Sequence, residues 1–206
     1  MKKLFSLLFL MLCIYQVQGQ QSKNDLKLIS DYGSKNEELN DILRFEGINY
    51  IKLNFVGKEL KDKSYTLYVK EIWNGEIVKD TVVFDSINIG IKTFEKVNDS
   101  VLKLKVISKL TSEKKLKLNF KFPRFGITKE YKAIDSNDYS LRNMVDESNM
   151  EISYNKKFYL LAYILPYERP DGSKSWCEVG TSGKDIENWG KKFGIKHYLI
   201  FEMKFE

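Results

Sequence analysis

Apolar and polar side chains alternate one for one through much of the middle of the chain. Ile51, Leu53 and Phe55 stand against Tyr50, Lys52 and Asn54, and Tyr65, Leu67 and Val69 against Thr66, Tyr68 and Lys70. A period of two puts successive side chains on opposite faces of a pleated strand, so these stretches predict strands with one face on a core and the other in water. Between Tyr65 and Phe84, the dipeptide Asn74-Gly75 supplies two residues that tolerate positive φ, as a tight hairpin turn requires. A plain two-residue loop sets Lys70 opposite Lys79. Like charges across a ladder are unfavourable, so the pattern predicts a one-residue bulge that moves Lys70 opposite Val78.

The alternation is longest from Val101 to Phe122. Leu102, Leu104, Val106, Leu110, Leu116, Leu118, Phe120 and Phe122 share one face of a hairpin that turns near Thr111, Ser112 and Glu113. Its other face carries Lys103, Lys105, Lys109, Lys115, Lys117 and Lys121. Lys157 to Leu165 is apolar on both faces, which predicts a strand inside a sheet. The stretch "HYLIFEMKFE" alternates again through Leu199, Phe201, Met203 and Phe205.

Helical signals are fewer. Asn36 to Leu43 and "SNDYSLRNMVDE" each predict a turn or two. In "SGKDIENWGKKFG", Ser182 is a cap, Asp185 suits the first turn, Ile186, Trp189 and Phe193 share a face, and Gly194 ends the helix. Together these elements predict a mainly β protein, an antiparallel two-layer β sandwich of which the immunoglobulin fold is one form, with a few short helices in its connections. The expected organisation is a signal peptide over 1–19, a polar N-terminal segment with a short helix over 20–46, and a single sandwich domain over 47–206.

The signal reading rests on Lys2 and Lys3, the apolar run Leu4 to Ile14, and a small residue, Gly19, at the expected cut. Its apolar run is too short to span a bilayer. Acylation at Cys13 is disfavoured because Leu12 precedes it, where a lipid-modification site wants a small residue. Cleavage leaves Cys177 as the one remaining cysteine, so no internal disulfide forms and stability must come from an apolar core. It also removes two lysines from a formal charge of +6, a mild balance that, with export, argues against a nucleic-acid partner.

The lysine face can take a polyanion, or can simply be the wet side of an amphipathic hairpin. Its binding candidates are Lys103, Lys105, Lys115 and Lys117. From Pro166 to Lys196 the composition changes, gathering two of the three tryptophans and five of the twelve glycines, and such long connections often carry function. Trp176 and Tyr167 are its candidate contact residues, for a protein or glycan at the cell envelope. Cys177 and the only histidine, His197, form the one nucleophile and base pair available to a hydrolase or transferase. The residues around Cys177 match no cysteine-hydrolase signature, and Glu178 tends to raise the thiol pKa.

Other chemistries lack their residues. "GTSGKD" places Gly180 and Gly183 at the wrong separation for a phosphate loop, with Asp185 where Ser or Thr meets the metal. One histidine and one cysteine do not make a zinc site. The pairs Asp80 with Asp85 and Asp146 with Glu147 are expected by chance among 28 acidic residues, and "DSNDYS" is a poor calcium loop better read as a cap. No cofactor is expected.

The signal ending "QGQ", the richness in Lys, Asn and Ile, and the pattern "LLAYILPYE" followed by "WG", "FGI" and "HYLIFEMKF" resemble uncharacterised exported proteins of Bacteroidetes-type bacteria, families labelled as domains of unknown function. The resemblance implies an exported, periplasmic, outer-membrane-associated or secreted protein and assigns no catalytic residue. The leading expectation is a non-enzymatic binding or scaffolding domain. The alternatives are a Cys177–His197 hydrolase or transferase, and an accessory or inhibitor protein contacting a partner through the 166–196 loop.

Overall fold

The computed structural model of the chain describes residues 25–176 and 185–206. Twelve strands are found among them: β1 (Lys27–Tyr32), β2 (Asn49–Val56), β3 (Tyr65–Trp73), β4 (Glu76–Asp85), β5 (Val101–Leu110), β6 (Lys115–Lys121), β7 (Gly126–Lys132), β8 (Ser140–Asn143), β9 (Phe158–Ile164), β10 (Tyr167–Glu168), β11 (Lys174–Ser175) and β12 (His197–Phe205). Three short α-helices join them: α1 (Glu37–Phe45), α2 (Met144–Glu147) and α3 (Trp189–Phe193). Two five-stranded antiparallel sheets pack face to face. Sheet A runs β1-β2-β5-β6-β7 and sheet B runs β4-β3-β12-β9-β8, with β10 and β11 forming a separate hairpin.

The alternating residues fill the space between the sheets. Ile51, Leu53, Phe55, Leu104, Val106, Leu116, Leu118 and Phe120 of sheet A are fully buried, as are Leu67, Leu199, Phe201 and Phe205 of sheet B. Phe120 meets Phe201 edge-on at 5.1 Å, and Phe55 meets Phe205 in the same way at 5.1 Å. Offset and edge-on aromatic contacts of this kind add to area burial, so the inter-sheet seam is stitched by rings from both layers.

Asn74 (φ 51°) and Gly75 (φ 81°) make the β3–β4 turn as expected. The bulge beside it runs the other way. Glu71 pairs with Lys79 and Ile72 with Ile77, leaving Val78 as the extra residue on β4 and placing Lys70 opposite Asp80 rather than Val78. The slip replaces a lysine pair with an opposite-charge pair, a better answer to the same repulsion.

Three expectations need correction. Within the 20–46 segment, Lys27–Tyr32 pairs with β2 along its whole length, so the sandwich takes in residues from Lys27 on. Its alternation is short and only half buried, which hides it from a periodicity reading. The "SNDYSLRNMVDE" stretch passes from a turn at 137–138 into β8 and becomes helical only at α2, where Asn143 Oδ1 accepts from Val145 N. In β12 the polar-looking face is also buried, for Tyr198, Ile200 and Glu202 are covered as fully as their alternates. The cover is the segment before it: Ile186 and Trp189 are fully buried against sheet B, and Gly194 (φ 68°) ends α3. Its expected cap, Ser182, lies outside the described residues.

Candidate functional site

His197 opens β12 and faces inward at one end of the sandwich, fully buried. The Ile134 amide donates to the Tyr139 hydroxyl oxygen at 3.1 Å, and the hydroxyl lies 2.6 Å from His197 Nδ1. The Glu71 carboxylate on the Nε2 side of the ring favours the proton on Nε2, so the hydroxyl donates to Nδ1. Nδ1 is then the acceptor and Nε2 carries the ring proton. Nε2 points toward Glu71 Oε1 at 3.8 Å, too far for a hydrogen bond, and has no other partner among the described residues. Trp73 stacks on the imidazole with centroids 4.0 Å apart and donates Nε1–H to Glu71 Oε1 at 2.8 Å. Burial pushes the imidazole pKa down to about 4, because charging a ring away from water is costly. The ring is neutral near pH 7 and presents neither nitrogen to solvent. Cys177, the other half of the expected pair, lies outside the described residues.

Tyr139 also floors a shallow cleft of about 360 Å³ with Tyr163, under a rim formed by Arg44, Glu46, Ser136 and Asn137. Asn49 clamps the cleft wall, donating to the Tyr163 hydroxyl at 3.4 Å and accepting from the Leu141 amide at 3.3 Å.

The lysine face occupies the outer side of sheet A. Strand register sets Lys52, Lys105 and Lys121 in one row across three strands and Lys109 opposite Lys117 in another. Between these rows run Tyr50, Ile107, Asn119 and Thr128. Neighbouring strands are about 4.8 Å apart, so each row is a line of closely spaced ammonium groups. Several are partly neutralised: Lys52 by Asp31 (3.1 Å), Lys109 by Glu46 (3.5 Å), Lys115 by Glu113 (2.8 Å) and Lys117 by Glu130 (3.9 Å). Lys103, Lys105 and Lys121 have no carboxylate within 4 Å among the described residues. The hairpin's lysine face carries no aromatic of its own, but the next strand supplies one: Tyr50, with Lys52 Nζ 5.4 Å from its ring centre. Its outward position follows from the alternation of β2; that β2 lies beside β5 does not.

The described parts of the 166–196 segment, 166–176 and 185–196, are tied to the sandwich. Tyr167 is buried and packs against Phe193 at 5.5 Å, so it offers no contact face. Trp176 is half buried against the core. Lys174 is held by Asp138 at 2.5 Å. Lys70 bonds Glu187 and lies 3.6 Å from Glu202, and Tyr159 donates to Glu187 at 2.9 Å. Burial works against the charged form of Lys70, but these carboxylates outweigh it and raise its pKa. Of the carboxylate pairs noted in the sequence, Asp146 and Glu147 are likewise engaged, Asp146 by Ser30 and Asn143 and Glu147 by Arg142. Among the described residues no three His, Cys, Asp or Glu side chains gather as metal ligands, and no helix is long and apolar enough to cross a membrane.

Fold and surface together define a two-sheet antiparallel β sandwich, cationic on one outer face and braced by its own chain on the other. No protein-family model, curated protein or solved structure matches the chain.

Proposed function

We propose that the chain is an exported, non-enzymatic binding domain that holds an anionic glycan on the outer face of sheet A. The observation that carries this reading is the row Lys52–Lys105–Lys121 beside Tyr50 and Ile107, with Lys103, Lys105 and Lys121 free of carboxylate partners among the described residues. Uncompensated cations on a flat sheet attract a polyanion, and a tyrosine between lysine rows offers a sugar ring a stacking surface. The N-terminal signal pattern supports delivery to a compartment where such polymers occur. A sugar polymer suits the face better than a lipid surface, since Ile107 is the one large aliphatic side chain between the lysine rows and is only 37% exposed.

The test is titration of the protein with a carboxylated or sulfated polysaccharide at rising ionic strength. Binding should weaken as the Debye length shrinks. Charge reversal by Lys105→Glu with Lys121→Glu should lower affinity on the order of tenfold or more. Binding to anionic vesicles without polysaccharide binding would assign the face to membranes instead. Binding to neither would end the reading.

A further inference from the structure

Glu71 sits on the inward face of β3, only 8% exposed. A buried carboxylate is costly unless cations or several hydrogen bonds compensate it. Here Trp73 Nε1–H reaches Oε1, and the nearby His197 ring approaches that same oxygen at 3.8 Å without bonding it. No lysine or arginine nitrogen lies within 4 Å of the carboxylate among the described residues. Its second oxygen has no hydrogen bond among them.

That carboxylate lines a lateral cleft of about 620 Å³ between β4 and β7, the two edge strands on the same side of the sandwich. Trp73 and Tyr131 supply aromatic walls, Val78 an aliphatic one, and Lys79, Lys132 and Glu130 complete the lining, Glu130 already paired with Lys115 and Lys117. Lys79 is the cross-strand partner of Glu71, yet its ammonium lies 5.8 Å from the Tyr131 ring centre rather than on the carboxylate. The wall thus already attracts an ammonium group, as an aromatic face does.

We propose that this cleft is a binding site for an alkylammonium group, with Glu71 as its anionic contact and Trp73 and Tyr131 packing the methylene stem. A guanidinium is the poorer ligand, because its forked donors want two free carboxylate oxygens and Trp73 occupies one of them. A single compact charge on an apolar stem fits one free oxygen between aromatic walls. Such a group occurs both on free diamines and on peptide lysines.

The test uses cadaverine, Nα-acetyl-lysine amide and Nα-acetyl-arginine amide as probes, read by calorimetry and by tryptophan fluorescence with Trp73→Phe to assign the signal. Saturable binding of an ammonium probe is expected, weaker for the arginine probe, and at least tenfold weaker in Glu71→Gln. The glutamine carbonyl still accepts from Trp73, so this variant keeps the local fold, as its melting curve should report. Lys79→Met removes the competing ammonium and should tighten binding severalfold. Binding of cadaverine alone assigns the site to free amines, and binding of the lysine probe extends it to peptides. Equal affinity in Glu71→Gln, a preference for the arginine probe, or no ammonium binding at millimolar concentration would overturn the proposal.

Discussion

The Tyr139 hydroxyl and His197 Nδ1 lie 2.6 Å apart inside the sandwich, although 58 positions separate them in the chain. The contact, with the Glu71 carboxylate on the Nε2 side, fixes the histidine tautomer and, with Trp73 stacked on the ring, holds a neutral imidazole in the core. That arrangement makes the folded state sensitive to acid. The folded pKa is about 4 against an ordinary 6.5, so the unfolded chain binds the extra proton first. Stability is therefore fully present above about pH 6.5 and falls as pH drops toward 4. Linkage gives a loss of about 2 kcal/mol between pH 7 and pH 5. Urea denaturation across that window should show this slope, and His197→Phe should flatten it. The single histidine resonance should stay in its neutral position at pH 5.5; a midpoint near 6.5 in the folded protein would refute the burial argument.

Removing the Tyr139 hydroxyl leaves a buried ring nitrogen without its donor. Tyr139→Phe should cost about 1–3 kcal/mol, the penalty of an unsatisfied buried polar atom. It should also raise exchange of the Ile134 amide, which loses its acceptor. A variant as stable as the parent, with unchanged exchange, would mean that the hydroxyl contact contributes nothing.

Gly190 lies in α3, where alanine normally stabilises a helix by about 1 kcal/mol. Here the sign should reverse. A β-carbon at Gly190 would meet Gly75 Cα at 2.6 Å and Gly75 N at 2.7 Å, so the helix and the β3–β4 turn could not both keep their places. Gly190→Ala should destabilise by about 1–3 kcal/mol, as overpacking does, and a rise in melting temperature would show that the contact is loose.

Lys70 joins the brace over sheet B to the sheet itself through Glu187 and Glu202. Lys70→Met leaves Glu187 and the buried Glu202 without their shared cation, although Lys157 Nζ stays 3.8 Å from Glu202. The expected cost is about 2 kcal/mol, reduced from the fully buried case because Glu187 is partly wet. Hydrogen exchange in 186–193 should accelerate more than in β5 or β6. Uniform acceleration would mean that Lys70 supports the whole fold rather than the brace.

Those four residues also show what a periodicity reading can and cannot reach. A two-residue period assigns faces, and Leu104, Val106, Leu118 and Phe120 are all buried where it puts them. It carries no information on which strands become neighbours. Tyr50 therefore entered the lysine face only once β2 lay beside β5, and Tyr139 reached His197 only once the sheets closed. The Lys70 bulge was legible as a repulsion to be relieved, but its direction depended on which strand took the extra residue. The buried outer face of β12 was hidden for a similar reason. Alternation in Leu199 to Phe205 implies one wet side, and only the docking of Ile186 and Trp189 dries it.

The cationic row sets function against stability, and that opposition can be measured. Lys105 and Lys121 face each other directly across the ladder, an arrangement that destabilises a sheet by a few tenths of a kcal/mol, roughly, and more at low salt. Lys121→Glu converts the repulsion to attraction, so it should raise the urea midpoint slightly in dilute buffer, with the gain fading as salt is added. The same substitution should weaken polysaccharide binding, because it takes one charge out of the row and puts its opposite in. A lysine kept only as a polar strand face predicts the stability gain with no change in binding. Both effects together would show that the repulsion between Lys105 and Lys121 is retained for what the pair binds.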